Sequence, residues 1–237
     1  MTQRQHPEIV VQAWRGGTVE SVHRAAAAVA GPDGEIVERW GDPRFVTYWR
    51  SSAKPFQAQV WLADGTVEHF GWGAEELAIM SASHEGTDEH AALIRRMLAD
   101  VGLDQTALRA GDDLGVRHNC SGNHLGFLAA SVRHGWDLAT YQQPDHPAQT
   151  AALRAFAAAV GTAPGDLATG VDGCGVVTYA TSVETMASAW ALMPSLLPEI
   201  SAAMRAHPVL VEGEGWLDTV LMQAFDGATS KCGAEGL

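Results

Sequence analysis

A chain of 237 residues with a net charge of −13 and a pI near 5.1 can bury a substantial core, as one large domain or two small ones. Its acidity argues against nucleic acid or an anionic membrane as partner and favours a small-molecule substrate. No apolar run nears the ~20 residues of a membrane span, Met1–Glu8 lacks the apolar core of a signal peptide, and Cys120, Cys174 and Cys232 are too few for a secreted disulfide framework. A cytoplasmic protein is expected, with its thiols serving packing, metal or catalysis.

Residues 9–48 read as a meander. Ile9–Trp14 is strand-like, Arg15-Gly16-Gly17 turns the chain, and a second strand starts at Thr18 and continues to Val29. Gly31-Pro32-Asp33-Gly34 makes a turn and Glu35–Trp40 a third strand, so antiparallel pairing of consecutive strands is expected. A further strand-like run ending at Trp49 enters Arg50-Ser51-Ser52-Ala53-Lys54-Pro55, which reads as the opening of a helix. There Ser51 and Lys54, at i and i+3, share one face. A serine hydroxyl needs a base to attack at neutral pH, and a lysine serves as one where a dry or cationic setting keeps it neutral. The plainer alternative is a serine cap with a solvated lysine one turn on.

Helices are expected over 56–64, 74–80, 91–98, 122–134, 148–160, 183–206 (interrupted near Pro194 and Pro198) and 218–225. Between them lie three polar stretches. Ser81–His90 carries Ser83, His84 and His90, whose roles as ligands, bases or caps stay open. After a loop over 111–117 comes His118-Asn119-Cys120-Ser121-Gly122-Asn123-His124, dense in groups that coordinate metals or transfer protons. Thr169–Val177 interleaves three glycines with Asp172 and Cys174, which suits either a close backbone approach to a ligand or a plain tight turn.

In content and order, Arg15-Gly16-Gly17, Arg50–Pro55, Ala82-Ser83-His84, His118–Gly122, Val171-Asp172-Gly173-Cys174-Gly175 and Ser230-Lys231-Cys232-Gly233-Ala234-Glu235-Gly236 resemble the bacterial asparaginase II family, the rhizobial-type, zinc-associated class of L-asparaginases. The resemblance covers essentially the whole chain. It implies an α+β fold similar to serine β-lactamases and glutaminases, with an antiparallel sheet packed against helices in one catalytic domain over residues 1–237. It also implies hydrolysis of L-asparagine to L-aspartate and ammonia, and a homodimer. Carried over by position, Ser51 pairs with Lys54 and Ser83 with Lys231 as catalytic groups. Arg50, His84, Asp172 and Gly173 fall to substrate binding, and Cys120 and Cys174 to zinc.

Two departures stand out. The family places a lysine three residues after the first zinc cysteine, where this chain has Asn123, a neutral and harder donor, so zinc binding is expected to be weakened. Family members also continue beyond the Gly-Ala-Glu-Gly motif into further strands, so a C-terminally truncated chain is expected, short of sheet partners. The chemistry is consistent with the resemblance: an amide is a poor electrophile and needs an activated hydroxyl, oxyanion donors and an acid for departing ammonia. Ser-Lys pairs supply such groups without histidine. A related amidase or glutaminase, and an inert member that binds metal or amino acid, are the alternatives.

Overall fold

The computed structural model describes residues 3–111 and 114–237; Met1 and Thr2 of the N-terminal stretch and Asp112 and Asp113 of the 111–117 loop lie outside the described residues. The structure is mixed α+β. Its strands are β1 (Arg4–His6), β2 (Ile9–Arg15), β3 (Thr18–Ala25), β4 (Ala27–Ala30), β5 (Ile36–Trp40), β6 (Val46–Tyr48), β7 (Ala168–Val171) and β8 (Val177–Ser182). Its helices are α1 (Lys54–Ala63), α2 (Thr66–His69), α3 (Ala74–Met80), α4 (Asp88–Asp100), α5 (Ser121–His134), α6 (Pro147–Ala159), α7 (Val183–Leu196), α8 (Pro198–Ala206), α9 (Pro208–Val211) and α10 (Leu217–Ala224). Among the described residues, no helix is long and apolar enough to cross a membrane.

Helix α1 runs through the centre. Lys54, Pro55, Phe56, Gln57, Ala58, Val60 and Trp61 are buried, so the helix hides nearly its whole circumference, the mark of a core helix rather than a surface one. Pro55 stands in the first turn, where a missing N–H costs nothing, and Gly65, at φ 79°, takes the left-handed conformation just past its end. Phe56 meets Trp49, Phe156 and Trp190 edge-on, with ring centroids 5.4, 6.0 and 5.9 Å away, and Phe156 stacks on Tyr179 at 4.2 Å. Each such fully buried side chain is worth about 1.5–3 kcal/mol of transfer free energy. The cluster ties α1, α6, α7 and β8 into one hydrophobic core.

Among the described residues the strands form three small sheets, where the sequence suggests a single meander. The hairpin β2–β3 pairs only with itself, β1 joins β5 in parallel, β4 pairs antiparallel with β5, and β6 and β7 flank β8 antiparallel. The second expected strand breaks at Ala26. Residues 27–30 are claimed by β5 because the turn between them is tight: Gly31 N–H donates to Glu35 O and Gly34 N–H to Gly31 O, both at 2.9 Å, with Gly34 at φ 79°. Every residue of β2 is exposed, Trp14 at 59% and Val11 at 57%, so that hairpin carries its apolar side chains into solvent. Sheet β6–β8–β7 contains the strands that matter for the site. Residues 169–177 form its hairpin, with β7 and β8 joined by a turn in which Gly175 N–H bonds Asp172 O at 2.8 Å and Asp172 N–H bonds Val176 O at 2.9 Å.

Candidate active site

The turn Arg50–Ala53 is a 3₁₀ helix that runs straight into α1. Arg50 has φ 52°, a left-handed backbone that a non-glycine residue adopts at a cost of about 1–3 kcal/mol, and such outliers concentrate at functional sites. What holds it is visible: Arg50 N–H reaches Thr178 Oγ1 on β8 at 3.2 Å, and its guanidinium binds Asp172 Oδ1 through Nε at 2.9 Å and Nη2 at 2.8 Å. The hydrogen bond to Asp172 also raises the Arg50 pKa.

Lys54, the first residue of α1, is buried, and its amine donates to three acceptors: Ala82 O at 2.7 Å, Ser83 Oγ at 3.0 Å and Cys120 Sγ at 3.2 Å. The lysine next to Ser83 is therefore Lys54 and not Lys231. Ser51 is half-buried, and among the described residues its hydroxyl has no hydrogen bond to Lys54. The reason is local: Ser51 sits in the 3₁₀ turn while the Lys54 side chain, leaving the first turn of α1, extends across to the segment after α3.

That segment is fixed from both sides. Ser83 N–H bonds Val211 O at 2.9 Å, His84 N–H bonds Asn119 O at 3.2 Å, and Glu85 N–H bonds Glu212 O at 2.7 Å. His84 is almost fully buried, with Nε2 against Ser121 Oγ at 2.9 Å, Nδ1 accepting from Gly86 N–H at 3.1 Å, and its ring stacked on His90 at 4.7 Å. Burial, then the neighbouring His90 and Lys54, push its pKa down to about 3, so the imidazole is neutral at physiological pH. With both ring nitrogens engaged, His84 frames Ser83 and has no nitrogen left for a substrate.

Cys120 and Cys174 come together. The hydrogen bond from Cys174, then Lys54 and His118, drive the Cys120 pKa down, while the same bond and burial drive Cys174 up. Asn123 turns its amide nitrogen to Gln57 Oε1 at 3.0 Å and to Met80 O at 3.5 Å. Among the described residues, the one trio of His, Cys, Asp and Glu donors close enough to share an ion is Glu212, Asp218 and Cys232, while the further nitrogen donor beside Cys120 and Cys174 is His118, which hydrogen-bonds the Cys120 thiol. Among the described residues, the amine beside Cys120 is that of Lys54, which is shared with Ala82 O and Ser83 Oγ. These donors do not complete a four-coordinate zinc shell. Protein purified without added metal is accordingly expected to carry far less than one zinc per chain, unchanged in Cys120→Ser; elemental analysis reads this, and stoichiometric zinc lost on that substitution would make Cys120 a ligand.

Arg50, Lys54, Gln57, Asn123, Asp172 and Cys174 line a cavity of about 10 Å³, the room of roughly one water. Gly173 lies outside it on the exposed turn, its N–H bonded to Asp172 Oδ1 at 2.6 Å. The surface hollow beside Arg4, Arg39 and Arg44 lies away from these groups, whereas a second hollow, of about 380 Å³, is lined by Ser52, Trp190, Ser230, Lys231 and Leu237.

Lys231 is the other buried amine. Its Nζ donates to Cys232 O at 2.8 Å and stands 3.6 Å from Asp218 Oδ2, with the side chains of both members of the ion pair essentially inaccessible. Burial foremost, then Lys54, lower its pKa, and Asp218 opposes them. The following Gly233 packs against Trp49 O and Ser52 N, which brings the C-terminal segment onto the Arg50–Ala53 turn. Asp218 and Glu212, which hold this segment, carry no motif or spacing signal. One compositional signal was available: the chain has two lysines against 13 arginines, and both lysines are buried here. Lys is ordinarily among the least buried residues, so a protein that keeps two and hides both is using them.

The model of the protein family described as L-asparaginase II matches residues 11–237 of the chain. No curated protein matches it closely enough to be called a relative.

Proposed function

Because the chain belongs to the L-asparaginase II family, we propose that it hydrolyses L-asparagine to L-aspartate and ammonia, with Ser83 and Lys54 as its central pair. The observation that carries this reading is the buried Lys54 Nζ at 3.0 Å from Ser83 Oγ. In the reaction, Lys54 as the neutral amine donates to only two of its neighbours and turns its lone pair to Ser83 Oγ, so it takes the hydroxyl proton as Ser83 Oγ bonds to the side-chain carbonyl carbon. The C–N bond then breaks, and the proton passes to the leaving nitrogen, which departs as ammonia. Water attacks the resulting ester, Ser83 regains its proton, and aspartate is released.

The Arg50–Asp172 pair fits the amino-acid end of the substrate. An α-amino acid carries a carboxylate and an ammonium on one carbon, so it can exchange an internal Arg–Asp bond for one bond to each partner. The turn carrying Ser51 at the head of buried α1, beside the antiparallel β6–β8–β7 sheet, supports a serine β-lactamase and glutaminase type of fold, and one catalytic domain over residues 1–237.

The test is ammonia release from asparagine and glutamine side by side, with Ser83→Ala and Ser51→Ala beside the parent chain. Asparagine is expected to be the better substrate. Ser83→Ala is expected to lower kcat by about 10³-fold or more, and Ser51→Ala by much less. Full activity in Ser83→Ala would remove Ser83 from the chemistry. Preferential glutamine turnover would make the chain a glutaminase, and binding without turnover an inert member of the family.

A further inference from the structure

The acidic groups around Lys231 are arranged to hold that lysine. Asp218, on α10 and almost fully buried, takes the chain on both sides of residue 231: Ser230 Oγ donates to its Oδ1 at 2.7 Å, and Cys232 N–H to its Oδ2 at 2.8 Å. The same Oδ2 is the oxygen 3.6 Å from Lys231 Nζ. Residues 228–233 belong to no helix or strand, so no ladder or helical turn fixes Lys231 in place. Glu212 supports the carboxylate from below. Its Oε2 accepts from Asp218 N–H at 2.7 Å and its Oε1 from Cys232 Sγ at 3.3 Å, while its own carbonyl accepts Glu85 N–H, two residues past Ser83. Glu212 thus joins the Lys231 segment to the Ser83 segment.

A divalent ion is not needed to explain the Glu212, Asp218 and Cys232 trio. Its oxygens and sulfur are bonded to one another's segments, and the nearby basic group is the Lys231 amine. We propose that Asp218 is the positioning residue of Lys231, gripping the backbone and side chain on either side of it and anchoring its ammonium beside the Ser83 and Lys54 pair. The claim rests on the proposed amide hydrolysis for its catalytic consequence, but not for the clamp itself. The charged and titratable groups facing Lys231 are Asp218, Glu212, Cys232 and Lys54. Removing Asp218 takes away the strongest influence that favours the charged amine, and the amine then loses its proton at lower pH.

The measurement is lysine-selective 15N labelling of the full chain, whose two lysines give two amine signals, assigned with Lys231→Met. In Asp218→Asn the Lys231 titration is expected to move to lower pH. In the same variant kcat for asparagine is expected to fall about tenfold or more at nearly constant KM, and the limb of the pH–rate profile set by Lys231 to move the same way. Asp218→Glu is expected to recover part of the loss. A folded Asp218→Asn with an unmoved titration and pH profile overturns the proposal. Should that variant fail to fold, Ser230→Ala loosens the same carboxylate by one hydrogen bond: a smaller shift in the same direction supports the clamp, and no shift overturns it. If the parent chain releases no ammonia, the reading of the reaction falls, and the Lys231 titration alone decides the clamp.

Discussion

Lys54→Met is expected to lower kcat/KM for asparagine by about 10³-fold or more, the largest loss of any single side chain in the site. Methionine keeps the length and fills the same buried volume, so packing around α1 survives. The amine is what goes, and with it the group that meets Ala82 O, Ser83 Oγ and Cys120 Sγ together. Left without their donor, those buried acceptors cost about 1–3 kcal/mol of stability, which a thermal melt registers separately from the assay. Lys54→Arg is expected not to rescue. A guanidinium is planar and stays protonated, so it cannot take a proton from a hydroxyl, and its fork does not fit a site shaped for one amine against three converging acceptors. Ammonia release and the melting transition, measured on the same preparations, check both halves. A folded Lys54→Met within tenfold of the parent would end the Ser83 and Lys54 reading.

Much of this arrangement was legible in the chain. Helix α3 spans the residues expected of it, and α5 and α6 fall within one residue of their expected ends, because their apolar residues recur at helical spacing and prolines or glycines mark their limits. The stretches holding Ser83, Cys120 and Asp172 were singled out, and they do converge with Lys54. Lys54 meets Ser83 where its spacing suggests Ser51, and the difference has a physical reason. The i, i+3 rule presumes that Ser51 and Lys54 share one continuous α-helix, whereas Ser51 sits in a 3₁₀ turn whose first residue, Arg50, has a positive φ. Strand β7 was hidden by Gly170 and Gly173, which read as loop until Val171 and Val177 are seen paired across a tight turn. Glu212 and Asp218 had no local signal. Their meaning lies in being buried beside Lys231, and burial of a carboxylate is a property of the assembled molecule that no spacing encodes.

Gly122→Ala tests how closely the site depends on helix packing, and it is expected to be the most destabilising small substitution in the chain. A methyl at Gly122 would lie 2.7 Å from the Ile79 carbonyl carbon and closer still to its oxygen, where α5 crosses α3. Backbone at that point cannot swing aside as a side-chain tip can, so the two helices must separate, at a cost of about 3 kcal/mol. For a chain of this length each kcal/mol lowers Tm by about 2–4 °C, which predicts a drop of about 6–12 °C. Activity is expected to fall further than stability explains. Helix α3 leads through Ser81 and Ala82 into Ser83, α5 begins just after Cys120, and Lys54 spans the gap between Ser83 and Cys120. Pushing α3 from α5 widens that gap, and a displacement of about 1 Å is enough to cost about 10²-fold in rate. Gly165→Ala is the control: nothing lies within 4 Å of its added methyl and its backbone lies outside the left-handed region, so it should leave both readouts unmoved. Melting curves and asparagine turnover for the two variants separate the outcomes. A Gly122→Ala protein that melts with the parent would mean that α3 and α5 have room to spare, and that the spacing of Ser83 and Cys120 is set elsewhere.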